Sequence, residues 1–179
     1  MSAVEENDID LLYREVQHFR QVPLWLLLLC LAGVAIYAMV EQLILGKPFG
    51  DNPASDTVLA IIVVIFGFGF PIFFYVINLT TEVRSDGLYI RFFPLHLSFR
   101  KIPLEDLKTY EVRTYRALRE YGGWGIRWGW SGKAYNVSGN RGVQLELSNG
   151  ERILIGSRKP DEFAEALALA VRAKGESKN

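Results

Sequence analysis

The residues best equipped for chemistry are concentrated in Glu120-Tyr-Gly-Gly-Trp-Gly-Ile-Arg-Trp-Gly-Trp130. Trp124, Trp128 and Trp130 recur at period two, which places them on one face of a strand, with Arg127 on the other. Aromatic side chains and arginine are the usual anchors of an interface. The interleaved Gly122, Gly123, Gly125 and Gly129 would let another backbone or a ligand approach. These spacings fit a strand whose tryptophans fill a core, with glycines easing its curvature, and they fit a surface for a protein partner or a lipid headgroup. Trp124, Arg127, Trp128 and Trp130 are the candidate binding residues. The glycines do not make a phosphate loop, because no Gly-Lys-Ser/Thr ending and no strand-to-helix context follow them. Asn136-Val-Ser-Gly-Asn-Arg141 is polar, and a tight loop between strands accounts for it.

Catalysis finds little in the rest of the chain. His96 has no neighbouring serine, cysteine or carboxylate motif, and no nucleophile elbow occurs. Glu105-Asp106 and Asp161-Glu162 are adjacent carboxylates whose positions, in a turn and at a helix start, are structural rather than glycosidase-like. One cysteine excludes an intrachain disulfide, and two histidines argue against a His-rich metal centre. No catalytic residue, metal or cofactor is therefore assigned, and a non-enzymatic protein is expected. The 20 Lys and Arg balance the 20 Asp and Glu, which gives no reason to expect a nucleic-acid partner. A chain of 179 residues that is 50% hydrophobic and 22% charged is not disordered as a whole.

The zero net charge is unevenly distributed. Residues 1–21 carry Arg14 and Arg20 against five acidic side chains; residues 22–79 carry only Lys47 against Glu41, Asp51 and Asp56; residues 80–179 are mildly basic. The uncharged run from Val22 to Val40 would span about 28 Å as a helix, close to the hydrocarbon thickness of a bilayer. A second uncharged run extends from Thr57 to Leu79. Trp25 and Tyr75 suit interfacial positions. The segment before the first run is long and acidic, unlike a signal peptide, so an uncleaved anchor is expected. Residues 22–45 and 57–79 are thus predicted as a transmembrane hairpin joined by a polar loop, 46–56, with the lipid bilayer as its first partner. The loop offers only Lys47, whereas the flanks offer Arg14, Arg20, Arg84, Arg91, Arg100 and Lys101, which puts both termini in the cytoplasm. Cys30 reads as a small packing residue. Pro71, beside Gly67 and Gly69, predicts a kink in the second span. No Asp, Glu, Lys or Arg lies within the apolar runs 22–40 and 57–79 to serve a transport path.

Before the first span, Ile9, Leu12, Tyr13, Val16 and Phe19 recur at helical spacing, so residues 1–21 are expected to form an amphipathic juxtamembrane helix. From residue 80 the pattern alternates. Ser85-Asp86-Gly87 and Asn149-Gly150 are hairpin signals, and runs at 82–84, 88–93, 97–102, 107–115, 124–130, 134–137, 143–147 and 152–155 read as antiparallel strands. Pro160, followed by Asp161 and Glu162, opens a final helix with Phe163, Leu167, Ala170 and Val171 on one face.

The order of strands ending in a hairpin and a capping helix resembles the bacterial pleckstrin-homology-like (PH-like) domain. More closely, the chain resembles an uncharacterised prokaryotic family of small membrane proteins that carry two spans and such a domain. The residues behind the resemblance are Phe92-Phe-Pro-Leu-His96, Tyr121-Gly-Gly-Trp-Gly-Ile-Arg127, Ala134-Tyr-Asn-Val-Ser-Gly-Asn140 and Ile155-Gly-Ser157. The resemblance implies an α+β membrane protein: a two-helix transmembrane hairpin plus an antiparallel PH-like β-barrel or sandwich at 80–179, capped by the C-terminal helix. It carries no activity. The expected role is protein interaction or assembly at the cytoplasmic membrane face, through a protein partner or a second copy of the chain. The alternative is lipid-headgroup or small-ligand sensing by the same domain, and an enzyme of unknown class comes third.

Overall fold

The computed structural model describes residues 10–176. The chain divides into a helical unit, Phe19–Ile77, and a β unit made of the segment up to His18 together with the chain from Asn78 onward.

The helical unit contains two apolar helices, Val22–Ile44 and Asp56–Val76, with mean hydropathies of 2.3 and 2.6, each long and apolar enough to cross a membrane. Pro23 sits in the first turn of α1 (Val22–Met39), where a missing N–H breaks no helical bond. A π-helical turn, Val40–Ile44, ends that helix. In the second, Ser55 caps α2 (Asp56–Ile62) by accepting a hydrogen bond from the Val58 N–H. The expected kink at Pro71 is a π-helical stretch over Val63–Gly69 between α2 and α3 (Phe70–Val76). Proline has no N–H, and its ring crowds the carbonyl four residues back. The ladder accommodates this by widening, and the Phe70 N–H bonds the Ile65 carbonyl. Ala35 and Ala38 pack against Leu59 and Val63, small residues facing branched ones. Cys30 is exposed rather than packed. The second helix stops at Val76, earlier than the expected Leu79, because Asn78 opens a strand.

The β unit has nine strands among the described residues, in two sheets. The first sheet has the order β1-β2-β3-β4, with β1 Leu11–His18, β2 Asn78–Arg84, β3 Gly87–Phe93 and β4 Arg100–Pro103. The second has the order β5-β8-β9-β7-β6, with β5 Leu107–Thr114, β6 Gly125–Gly129, β7 Gly132–Asn136, β8 Arg141–Leu147 and β9 Arg152–Gly156. The sheets do not close into a barrel, and β7 runs parallel to β9, so the second sheet is mixed rather than antiparallel. A short helix, α4 (Ala117–Tyr121), interrupts what reads as strand and loop in the sequence.

The largest departure from expectation is at the N-terminal segment. Residues 11–18 form a strand, not part of an amphipathic helix, while residues 1–9 of that expected helix lie outside the described residues. The pattern that suggested a helix is misleading because the polarity is inverted. Gln17 is buried while Leu12 and Val16 are exposed. Burial follows period two, with Tyr13 and Gln17 inward. Gln17 is tolerated inside because its amide donates to the Gly156 carbonyl at 2.7 Å. Pairing with β2 from Leu11↔Arg84 to His18↔Asn78 then decides the conformation.

The terminal helix α5 (Pro160–Glu176) buries Phe163, Ala166, Leu167 and Ala170 and packs on both sheets through β1, β2, β5 and β8. Phe163 stacks on Tyr13 with 5.2 Å between ring centroids. Glu82 is buried in β2 and is balanced by Arg14 at 3.3 Å and Arg84 at 2.5 Å. The one carboxylate thus has a guanidinium from its own strand and another from the neighbouring strand.

Candidate functional site

The structure separates the four candidate residues. Only Arg127 and Trp128 lie within β6; Trp124 precedes the strand and Trp130 follows it in the turn. Trp124 is half-buried against a cluster of Tyr115, Ala117, Tyr121, Ala134 and Leu154, and its indole N–H donates to the Gly139 carbonyl at 3.3 Å. Trp128 is 72% exposed and Trp130 fully exposed. The core and surface readings of this segment therefore each hold for part of it. Trp124 is a packing residue, and Trp128 and Trp130 form an uncovered aromatic hairpin at the edge of the second sheet.

The glycines serve the fold more than a ligand. A side chain at Gly129 would run into the Glu120 carbonyl and the Tyr121 ring, so this position lets α4 lie against β6. Gly122 has φ +71° and ends α4 in the left-handed conformation. Glu120 accepts the Arg116 N–H at 2.7 Å and the Arg113 guanidinium at 2.5 Å, and Arg113 also donates to the Tyr121 hydroxyl at 3.2 Å. Partial burial works against the Glu120 carboxylate, yet these two donors hold it below its ordinary value of 4.5. Arg127 is exposed and folds back, its Nε donating to the Trp124 carbonyl at 3.0 Å. This holds the guanidinium against Gly123 and Gly125 at the start of β6.

Across the hairpin, Lys133 is paired with Trp128, and its ammonium lies 4.9 Å from the Trp128 ring centroid and 4.9 Å from that of Tyr135. On the far side of Tyr135, Arg100 donates to the phenol oxygen at 3.4 Å and the His96 ring stands 5.9 Å away, edge to face. Burial, and then the charges of Arg100 and Lys133, lower the His96 pKa from its ordinary 6.5. Sequence reasoning grouped none of these four residues, because they come from a loop, β4 and β7 and are joined only by the packing of two sheets. The missed helix α4 did leave a signal: Ala-Leu-Arg-Glu are good helix formers and Gly122-Gly123 follows them.

No group of three His, Cys, Asp or Glu is placed to hold a metal ion among the described residues. Ser157, the serine nearest a carboxylate, donates to Glu15 at 2.6 Å, and Tyr13 donates to the same oxygen at 2.7 Å. The other Glu15 oxygen takes the Arg158 N–H at 2.9 Å. Glu15 is thereby occupied as the clamp that ties β1 to the loop before α5.

The family model for a family of unknown function, DUF6141, matches residues 4–174, and the chain belongs to that family. No curated protein matches the chain.

Two outcomes follow from this geometry. Trp124→Ala removes packing from the α4 cluster and should cost about 2–4 kcal/mol in thermal unfolding, whereas Trp130→Ala should stay within about 0.5 kcal/mol. Equal losses would contradict the split between packed and exposed tryptophans. Because the Glu120 pKa is lowered on folding, its ion pair contributes stability above pH 4.5 that is lost as pH falls through the lowered value. Glu120→Gln should therefore flatten the acid limb of the stability profile below that pH and leave its shape at neutral pH unchanged.

Proposed function

We propose that this chain is a non-enzymatic, two-span protein of the cell membrane whose β unit is a docking module for a protein partner at the cytoplasmic face. The observation that carries the reading is the uncovered hairpin. Trp128 stands in solvent on an edge strand whose backbone has a neighbour on one side only, and Trp130 stands in solvent in the turn that follows it. Exposed aromatic groups of this size are costly unless something covers them, and Trp with Arg is the composition of an interface centre. A protein is favoured over a lipid surface because the free edge of β6 offers unpaired backbone groups to a partner strand beside the exposed tryptophans.

The helical unit supports the membrane assignment by the length and apolarity of its two helices, and the excess of Lys and Arg outside the 46–56 loop supports cytoplasmic termini. The β unit is read as a PH-like domain. Two packed sheets and a terminal helix lying across both support this reading.

The test is a comparison of wild type with Trp128→Ser/Trp130→Ser, each solubilised gently from native membranes and weighed by analytical ultracentrifugation. The reading predicts a stoichiometric complex, with a second protein or a second copy, for wild type. The variant should melt at the same temperature and run as the lone chain. A wild type that is already alone, or a complex indifferent to both tryptophans, would overturn it.

A further inference from the structure

The cleft between the two sheets is lined by Arg100 and Lys101 from β4, by Lys133 and Tyr135 from β7, and by Asp106 and Glu151 at its rim, and has a volume of about 240 Å³. Lys101 is committed, since it pairs with Asp86 at 2.5 Å. Arg100 and Lys133 are not: neither forms an ion pair among the described residues, although both stand at the same phenol ring. Asp106 and Glu151 are in the lining yet pair with neither cation. His96 stands at the third side of Tyr135, and its Nδ1 is buried with no hydrogen-bond partner. Two cations without an ion pair and an imidazole with an unpartnered nitrogen thus surround one phenol ring, Arg100 at its hydroxyl, Lys133 over its face and His96 at its edge.

We propose that this cluster of Arg100, Lys133, Tyr135 and His96 is a binding site for a phosphate group. Arg100 supplies a planar fork for two phosphate oxygens, and Lys133 supplies a point charge. The Tyr135 hydroxyl is already an acceptor from Arg100, so its own proton is available to a third oxygen. His96 adds a ring N–H, and Leu95 and Leu97, which flank it, are exposed, Leu97 by 80%. The same phosphate chemistry is presented by free phosphate or a soluble monoester and by a phosphomonoester lipid headgroup, for which exposed leucines beside the site would offer an apolar contact. None of the four site residues is one of the docking residues, although Lys133 also lies over the Trp128 ring, and the phosphate titration reads the site without requiring a protein partner at the hairpin.

The experiment places the full chain in nanodiscs of phosphatidylcholine alone and titrates inorganic phosphate by calorimetry at constant ionic strength. Saturable binding is expected, weakened at least about tenfold in Arg100→Gln and in Lys133→Gln, with unchanged melting temperatures. Arg119→Gln, an exposed arginine outside the cluster, should bind as wild type does. A second arm repeats the titration in nanodiscs containing phosphatidic acid. Loss of the phosphate signal there in wild type identifies a lipid headgroup as the source; an undiminished signal identifies a soluble phosphate. Absence of saturable binding in both discs, or equal affinity in wild type and both cluster variants, overturns the proposal.

Discussion

The ladder between β1 and β2 is the constraint on which the rest depends. These strands are separated in sequence by the whole helical unit, residues 19–77, yet His18 is the direct partner of Asn78. Opposed residues in an antiparallel pair have α-carbons about 4.5–5.5 Å apart. The chain therefore leaves the β unit and re-enters it at neighbouring points, so the intervening segment must turn back on itself. Two antiparallel helices, tied at their far ends by Gln42 bonding the Ala54 carbonyl and Asp56, meet that condition. The ladder also brings Arg14 of β1 to 3.3 Å from the buried Glu82, beside the Arg84 that pairs with it from the same strand. Phe163 of α5 closes on Tyr13, and Gln17 holds the end of β9. Without β1, the terminal helix and the second sheet would each lose a partner.

The second sheet shows how close backbone approach shapes a surface. Gly129 lets α4 lie against the edge strand, and Gly132 faces the Arg152 carbonyl where a side chain could not fit. The space saved at these positions brings Trp124 under α4 while Trp128 and Trp130 are left outside. Lys133 stacks on Trp128 from the paired strand, so the aromatic hairpin and the cationic cluster around Tyr135 are neighbouring features that share one side chain.

Much of this architecture was legible in the residues. The two uncharged runs are the two long apolar helices, Asn149-Gly150 and Asp86-Gly87 mark hairpins, Gly150 by its φ of +83° and Gly87 by its close approach to Ile102, and Pro160 with Asp161 and Glu162 marks a helix start. What escaped was set by distant contacts. Ile9 to Phe19 matches a helical stripe well, but pairing with β2 and a hydrogen bond from Gln17 to a residue 139 positions away override it. The site was half legible. Tryptophan spacing located the hairpin, but period two says nothing about where a strand stops, and Trp130 falls one residue beyond β6. The His96, Arg100, Lys133 and Tyr135 cluster carries no sequence signal, because it exists only where two sheets meet.

A disulfide test on the first ladder addresses the central claim directly. With Cys30→Ala as background, Val16→Cys/Thr80→Cys joins two residues that are opposed in the register. Their α-carbon spacing lies within the roughly 4.4–6.8 Å that a disulfide spans. The account predicts that mild oxidation in native membranes links this pair within one chain and leaves it folded. Val16→Cys/Arg84→Cys, displaced by four residues or about 13 Å along β2, should stay reduced. A first pair that stays reduced, or a second that links as readily, would contradict the pairing of β1 with β2 and the closed hairpin built on it.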